Sequence, residues 1–321
     1  MSVSFCKLTR YITQESHELD LKSRASSVVT NSVSWRSQNI FYKKNELFLD
    51  VVESLNILQN ADGSIIRSEI NGKINVNAFL SGMPILKLGL NDQIKRDAET
   101  RNGTAKGKRS KYINMQDVKF HQCVELDEFE KTRTIQFIPP DGKFELMSYR
   151  IADFSAKPLF QVSCDIDVKS RSRVIVAVKA SSHFKKRSVG NNVEIYIPVP
   201  PDADSPRFKA QSGTVVYAPE HNAIVWKIKS FPGAKEFTMK AELQLSSIEQ
   251  QEDGPEKPLG KSSTSLNSPI QVKFEIPYLA VSGIQVRYLK VTEPKLKYQS
   301  LPWVRYLTQN GDEYSIRLPA K

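Results

Sequence analysis

Apolar and polar residues alternate along most of this chain in short runs. "KINVNAFL" places Ile74, Val76, Ala78 and Leu80 on one side, the two-residue period of a half-buried strand. "KEFTMKAELQL" does the same with Phe237, Met239, Ala241 and Leu243. "NELFLDVVESLNIL", "RVIVAVKA", "NNVEIYIPVP", "NAIVWKIKS", "IQVKFEIPY", "SGIQVRYLKV" and "PWVRYLTQNGDEYSIRL" also have strand length and composition. Turn chemistry punctuates these runs. Asp62-Gly63 suits a hairpin, Pro139-Pro140-Asp141-Gly142 separates two strands, and Asn310-Gly311 reads as a second hairpin. Helical periodicity is nearly absent. The pattern predicts an all-β protein, a sandwich or a barrel.

Three stretches lack the pattern. Residues 1–38, with "SRASSVVTNSVSWRSQ", are polar and serine-rich and read as a flexible linker or tail. "NGTAKGKRSK" and "SSIEQQEDGPEKPLGKSSTSLNSP" read as exposed loops between strands. No internal repeat is present.

Composition adds location and partner chemistry. The 321 residues are 40% hydrophobic and 25% charged, which suits a globular protein with a sizeable core. No run approaches the roughly 18 apolar residues of a membrane span. The first residues lack the pattern of a signal peptide, so a cytosolic location is expected. Cys6, Cys123 and Cys164 are too few and too scattered for a disulfide framework or a zinc site. His121 and Cys123 read as packing residues, since structural zinc takes four ligands. The formal net charge of +11 favours an acidic partner: nucleic acid, an anionic membrane or an acidic protein. The densest basic runs are Lys106 to Lys111 and the trio Lys185, Lys186 and Arg187.

Catalysis finds no support. His17, His121, His183 and His221 have no nucleophile motif beside them, and no paired carboxylates or metal cluster assemble. "SGMPILKLGLND" lacks a phosphate-cradling spacing. Nucleic-acid binding would need clustered cations with exposed aromatics on a sheet or groove. Here the basic runs lie in loop-like segments, and charge alone does not settle the matter.

Longer stretches are more specific. "NELFLDVVES", "LSGMP", "LKLGLND", "KFHQC", "FIPPDGKFELMSYR", "NNVEIYIPVP", "AIVWKIKSFPG", "GIQVRYLKV" and "PWVRYLTQNGD" run in order from about Trp35 to the C-terminus. Together they resemble the mu homology domain of clathrin-adaptor medium subunits. The resemblance implies two β-sandwich subdomains in one elongated domain over 39–321. The first is expected from about 39–155 plus 270–321, with the second, about 156–269, inserted into it. The family's N-terminal longin-like domain is expected to be missing here. The resemblance implies no enzyme activity, no cofactor, no metal and no nucleic-acid partner.

It further implies recognition of Tyr-x-x-Φ peptides in the cytosolic tails of transmembrane cargo, where Φ is a bulky apolar residue. The tyrosine pocket carries over onto Phe48, Asp50, Trp303 and Arg305. The Φ pocket carries over onto Leu47, Leu49, Val286, Leu289 and Val304. Asn77 stands where many relatives have Lys or Arg, and it brings a hydrogen-bond donor without charge. The spacing suits the role: Phe48 and Asp50 share one strand face, as do Trp303 and Arg305, while Leu47, Leu49 and Val304 have the opposite parity. Without the resemblance, Phe48 and Trp303 read as core residues.

Among such adaptors the chain looks most like adaptor complex 1 of fungal type, which works at the trans-Golgi network, endosomes and clathrin-coated vesicles. Large and small adaptor subunits, and through them clathrin, are the implied protein partners. The plasma-membrane adaptor is the alternative. Its phosphoinositide-binding lysines correspond here to Ser212, Thr214, Val216 and Ala218. Lys185, Lys186 and Arg187 remain a candidate contact with an anionic phosphoinositide surface. Thr30 lines up with a linker threonine that is phosphorylated in some medium subunits.

Overall fold

The computed structural model describes residues 33–91, 113, 115–152, 158–170, 173–200, 203–245 and 268–318. Thr30, the Lys106 to Lys111 run and the polar insert before residue 268 lie outside them. Among the described residues, strands dominate. Nine form one sheet in the order β11 (Thr214–Ala218), β12 (Ala223–Pro232), β9 (Val189–Pro198), β14 (Ile270–Pro277), β16 (Leu301–Ile316), β1 (Glu46–Gln59), β2 (Ile65–Phe79), β6 (Gly142–Ala152) and β4 (Gln116–Phe120). Two smaller sheets contribute to the cores beside it. One has the order β10 (Ala203–Ala210), β13 (Glu236–Leu245), β8 (Arg173–Ser182) and β7 (Phe160–Ser170). The other has the order β15 (Val286–Thr292), β3 (Ile85–Leu90) and β5 (Thr134–Phe137).

The alternation read from the sequence sets which side of each strand is buried. Ile74, Val76, Ala78 and Leu80 are buried, as are Met239, Ala241 and Leu243. Burying each large apolar side chain contributes roughly 1.5–3 kcal/mol. Two cores result. One gathers Phe160, Trp226, Phe231 and Phe274, and the other gathers Leu47, Leu49, Ile74, Leu86 and Phe137. β1 enters both, with Leu47, Leu49 and Val51 in the second core and Leu55 and Ile57 in the first. The far ends of β2 and β16, through Ile70, Tyr314 and Ile316, also join the first core, as does β14. The cores therefore do not divide at 155/156 and 269/270. Strands from both sides of those boundaries share one sheet.

Three local expectations are corrected. Asn310-Gly311 makes no hairpin, because β16 runs on to Ile316. β1 opposes Leu55 to Asn310 and Ile57 to Tyr314, so β16 carries extra residues in a bulge. Asn56 fills that bulge: its Oδ1 accepts from the Glu313 amide at 3.2 Å, and a Cβ at Gly311 would lie 2.0 Å from that oxygen. The second correction is a short helix, α1 (Leu126–Thr132), which buries Phe129 and is too brief to show periodicity.

The third concerns the start of the domain. Residues 33–38 belong to the fold and not to a linker. Arg36 is 2% exposed. It donates to the Gly82 carbonyl at 2.8 Å, to the Pro139 carbonyl at 3.2 Å and to the Leu80 carbonyl. Trp35 Nε1 donates to the Ile138 carbonyl at 2.8 Å. A serine-rich composition hid these two anchors. Deleting residues 1–38 should cost at least about 2 kcal/mol more than deleting 1–32 alone, because buried carbonyls lose charged donors. Urea denaturation of the two truncations checks this, and equal midpoints would contradict the anchoring role.

Candidate functional site

β16 has one side paired along its length and the other only in part. β1 runs parallel to it from Glu46↔Leu301 to Gln59↔Ile316. On the other side β14 begins pairing at Pro277↔Leu307, and the Tyr278 amide donates to the Tyr306 carbonyl at 2.8 Å. Before that point, residues 301–305 have no strand on this side among the described residues. Such an edge presents unpaired amides and carbonyls that an extended peptide can complete.

The register then decides which side chains flank this edge. Partnered residues in a sheet project to the same face. Phe48 sits opposite Trp303, and Asp50 opposite Arg305. On the other side of β1, Phe48 faces Asn77 of β2, and Asn77 faces Lys143 of β6. The five residues expected at the tyrosine pocket are thus adjacent on one face. Trp303 is 55% exposed, which corrects its composition-based reading as core. Phe48 is half-buried and meets Phe79 edge-on at 6.5 Å. Phe79 meets Tyr42 at 5.7 Å. Arg305 grips Asp50 bidentately, with Nε to Oδ1 and Nη2 to Oδ2 both 2.7 Å. These bonds push the Arg305 guanidinium above its ordinary pKa.

The opposite parity points inward. Leu49 is in register with Val304, and Leu47 with Pro302. Val304 is 36% exposed, but Leu47 and Leu49 are at 0%. Both leucines that the resemblance gave to the Φ pocket are buried, and with Val51 they project into the second core. Val286 and Leu289 of β15 pack half-buried against that same core. The Val286 amide donates to the Tyr306 hydroxyl at 2.9 Å, tying β15 to β16. The leucines form a sealed floor, with Val304, Val286 and Leu289 nearer the surface.

The remaining expected residues lie elsewhere. Lys185, Lys186 and Arg187 are exposed on the turn between β8 and β9, where the Ser188 amide closes onto the Lys185 carbonyl at 2.9 Å. No ion pair engages them among the described residues. His121 and Cys123 pack as expected. The Cys123 amide donates to His121 Nδ1 at 3.2 Å, and burial pushes the Cys123 thiol up to about 12. Sequence reasoning missed Phe79, Tyr278 and Tyr306. Phe79 ends the same strand β2 that carries Asn77, and the odd-numbered alternation of that strand puts the two on one face, within reach of the pattern.

Comparisons with known proteins give the family. Residues 33–318 match the model of the adaptor complexes medium subunit family. The chain is 53% identical over 310 residues to the AP-1 complex subunit mu-1 of Schizosaccharomyces pombe, covering 97% of this chain and 69% of that protein. It is 53% identical over 311 residues to the human AP-1 complex subunit mu-2, with the same coverage of 97% and 69%. Among solved structures, a yeast delta-COP-I mu-homology domain aligns with a TM-score of 0.58 at 16% identity, covering 86% of this chain and all 100% of that one. That likeness shows the fold alone. This chain belongs to the adaptor complexes medium subunit family, and it is a cargo-sorting adaptor component rather than an enzyme.

Proposed function

We propose that this chain binds Tyr-x-x-Φ sorting signals along the free edge of β16. One observation carries the reading. The edge at 301–305 is flanked on one face by Trp303, Phe48 and the Asp50–Arg305 pair, and on the other by Val304. A peptide added there as a strand places residues three apart on opposite faces, about 10 Å apart along the chain. Its tyrosine ring lies across Trp303 and Phe48. The phenol donates to a free lone pair of Asp50 and accepts from a remaining N–H of Arg305. Its Φ side chain enters beside Val304, Val286 and Leu289, over Leu47 and Leu49. The affinity for Φ comes from removing apolar surface from water.

The likeness to AP-1 mu subunits supports a place at the trans-Golgi network and endosomes, assembled with large and small adaptor subunits that reach clathrin. Lys185, Lys186 and Arg187 supply an exposed cationic turn for an anionic phosphoinositide surface, each cation contributing about 1 kcal/mol near it. Thr30 is the phosphorylation site of this reading, where an added negative charge would regulate the chain.

Two outcomes follow for peptide titrations followed by calorimetry. Replacing Φ by Ala should weaken binding by about 1.5–3 kcal/mol, the value of the buried side chain. Equal affinity for the two peptides would remove the apolar site. Phosphorylating the peptide tyrosine should abolish binding, because a charge of about −1.5 to −2 would face Asp50. Asp50→Ala should weaken the unphosphorylated peptide by about 1–3 kcal/mol, as the phenol loses its acceptor. Tighter binding of the phosphopeptide to the unaltered chain would contradict the role given to Asp50.

A further inference from the structure

Tyr278 is 85% exposed, more than any other large apolar side chain among the described residues. Its φ of 58° is left-handed, a conformation disfavoured for a side chain with a β-carbon. No hydrogen bond engages its hydroxyl among the described residues. Packing therefore does not account for a bulky ring held out from a strained backbone. Strain of this kind persists where the surroundings over-determine it, and it clusters at binding sites.

The surroundings do over-determine it. The Tyr278 amide is bonded to the Tyr306 carbonyl at 2.8 Å. Thr308 Oγ1 donates to the Leu279 carbonyl at 2.8 Å. The Ser282 amide donates to Glu53 Oε2 at 3.1 Å, and the Ser282 hydroxyl bonds to Oε1 of the same carboxylate. Tyr149 Oη completes the set on the buried Glu53 at 3.0 Å. Asn91 Nδ2 donates to the Gly283 carbonyl at 2.9 Å. The segment after β14 is thus a fixed post, and Tyr278 stands at its head.

Its place matters. Tyr278 marks where β14 leaves β16 and the free edge begins. Along that edge the Asp50–Arg305 pair lies nearer to Tyr278, while Leu47 and Pro302 lie further away. A signal with its tyrosine at the first level and Φ towards the second runs antiparallel to β16, in line with β14. Its residues before the tyrosine then approach Tyr278 at about 3.3 Å per residue. We infer that Tyr278 forms the upstream wall of the groove and contacts the residue one or two positions before the signal tyrosine, favouring an apolar or aromatic side chain there. The inference rests on the peptide-site reading proposed above and extends it.

The test uses the full chain and three peptides in calorimetric titration. One is a capped Tyr-x-x-Φ tetrapeptide. The second adds Gly-Gly before the tyrosine, and the third adds Phe-Leu there. The unaltered chain should bind the Phe-Leu peptide about three- to tenfold tighter than the Gly-Gly peptide, the range of one aromatic contact. Tyr278→Ala should abolish that gain and leave the tetrapeptide within about twofold. Tyr278→Phe, which keeps the ring, should retain the gain. Persistence of the gain in Tyr278→Ala would overturn the inference. So would an equal loss for all three peptides, which would mean that Tyr278 only supports Arg305. No gain in the unaltered chain, with the tetrapeptide still bound, would overturn this inference alone. Failure of every peptide to bind would overturn the peptide-site reading and this inference with it.

Discussion

The parallel pairing of β1 with β16 is the constraint from which the site follows. Asp50 and Arg305 are 255 residues apart in the chain, and only this register sets them side by side. Parallel neighbours need a crossover connection. Here the crossover is nearly the whole domain, from β2 to β15. Closing so long a loop costs entropy that grows slowly with length. Burial on the inner face offsets that cost, with Leu47, Leu49 and Val51 lying on the same strand as the site residues. The side chains that stabilise the pairing and those that flank the groove alternate along β1. A one-residue slip would exchange the two sets.

The second consequence of the pairing is the unfinished edge. β14 covers β16 only as far as Leu307 and then turns away at Tyr278. The bonds of Glu53, Thr308 and Asn91 to the segment that follows hold that departure in place. Sheet edges invite unwanted pairing, and short exposed lengths limit it. The open length is the stretch 301–305, enough for a short extended peptide. The outer face offers a hydrogen-bonding pair and two aromatic rings, and the inner face offers apolar surface. Specificity in such an arrangement comes from the side chains on alternate faces, while the backbone supplies pairing that does not depend on sequence.

Much of this was legible in the sequence. Period-two alternation marked strands and their buried sides, and β2 and β13 followed it closely. The resemblance placed Phe48, Asp50, Trp303 and Arg305 together, and the register sets them on one face. Other features were not legible for physical reasons. Asn310-Gly311 has turn chemistry, but bulges and hairpins draw on the same residues. Arg36 and Trp35 sit in a polar, serine-rich stretch, and their role depends on carbonyls 44 to 103 residues away. Leu47 and Leu49 carried the right parity for a pocket, but parity alone does not separate a pocket wall from a core floor. Tyr278 looked like the end of an ordinary strand, and only its backbone conformation and exposure set it apart.

Amide hydrogen exchange, recorded with and without a Tyr-x-x-Φ peptide, reports on the free edge itself. Added-strand binding requires that backbone amides there become hydrogen-bonded. Protection should rise at the Val304 amide, which faces the edge on the same side as the Tyr306 carbonyl, with the Tyr-x-x-Φ peptide and stay unchanged with its Tyr-to-Ala counterpart. Protection confined to another surface, such as the turn carrying Lys185 to Arg187, or binding with no change at Val304, would contradict it.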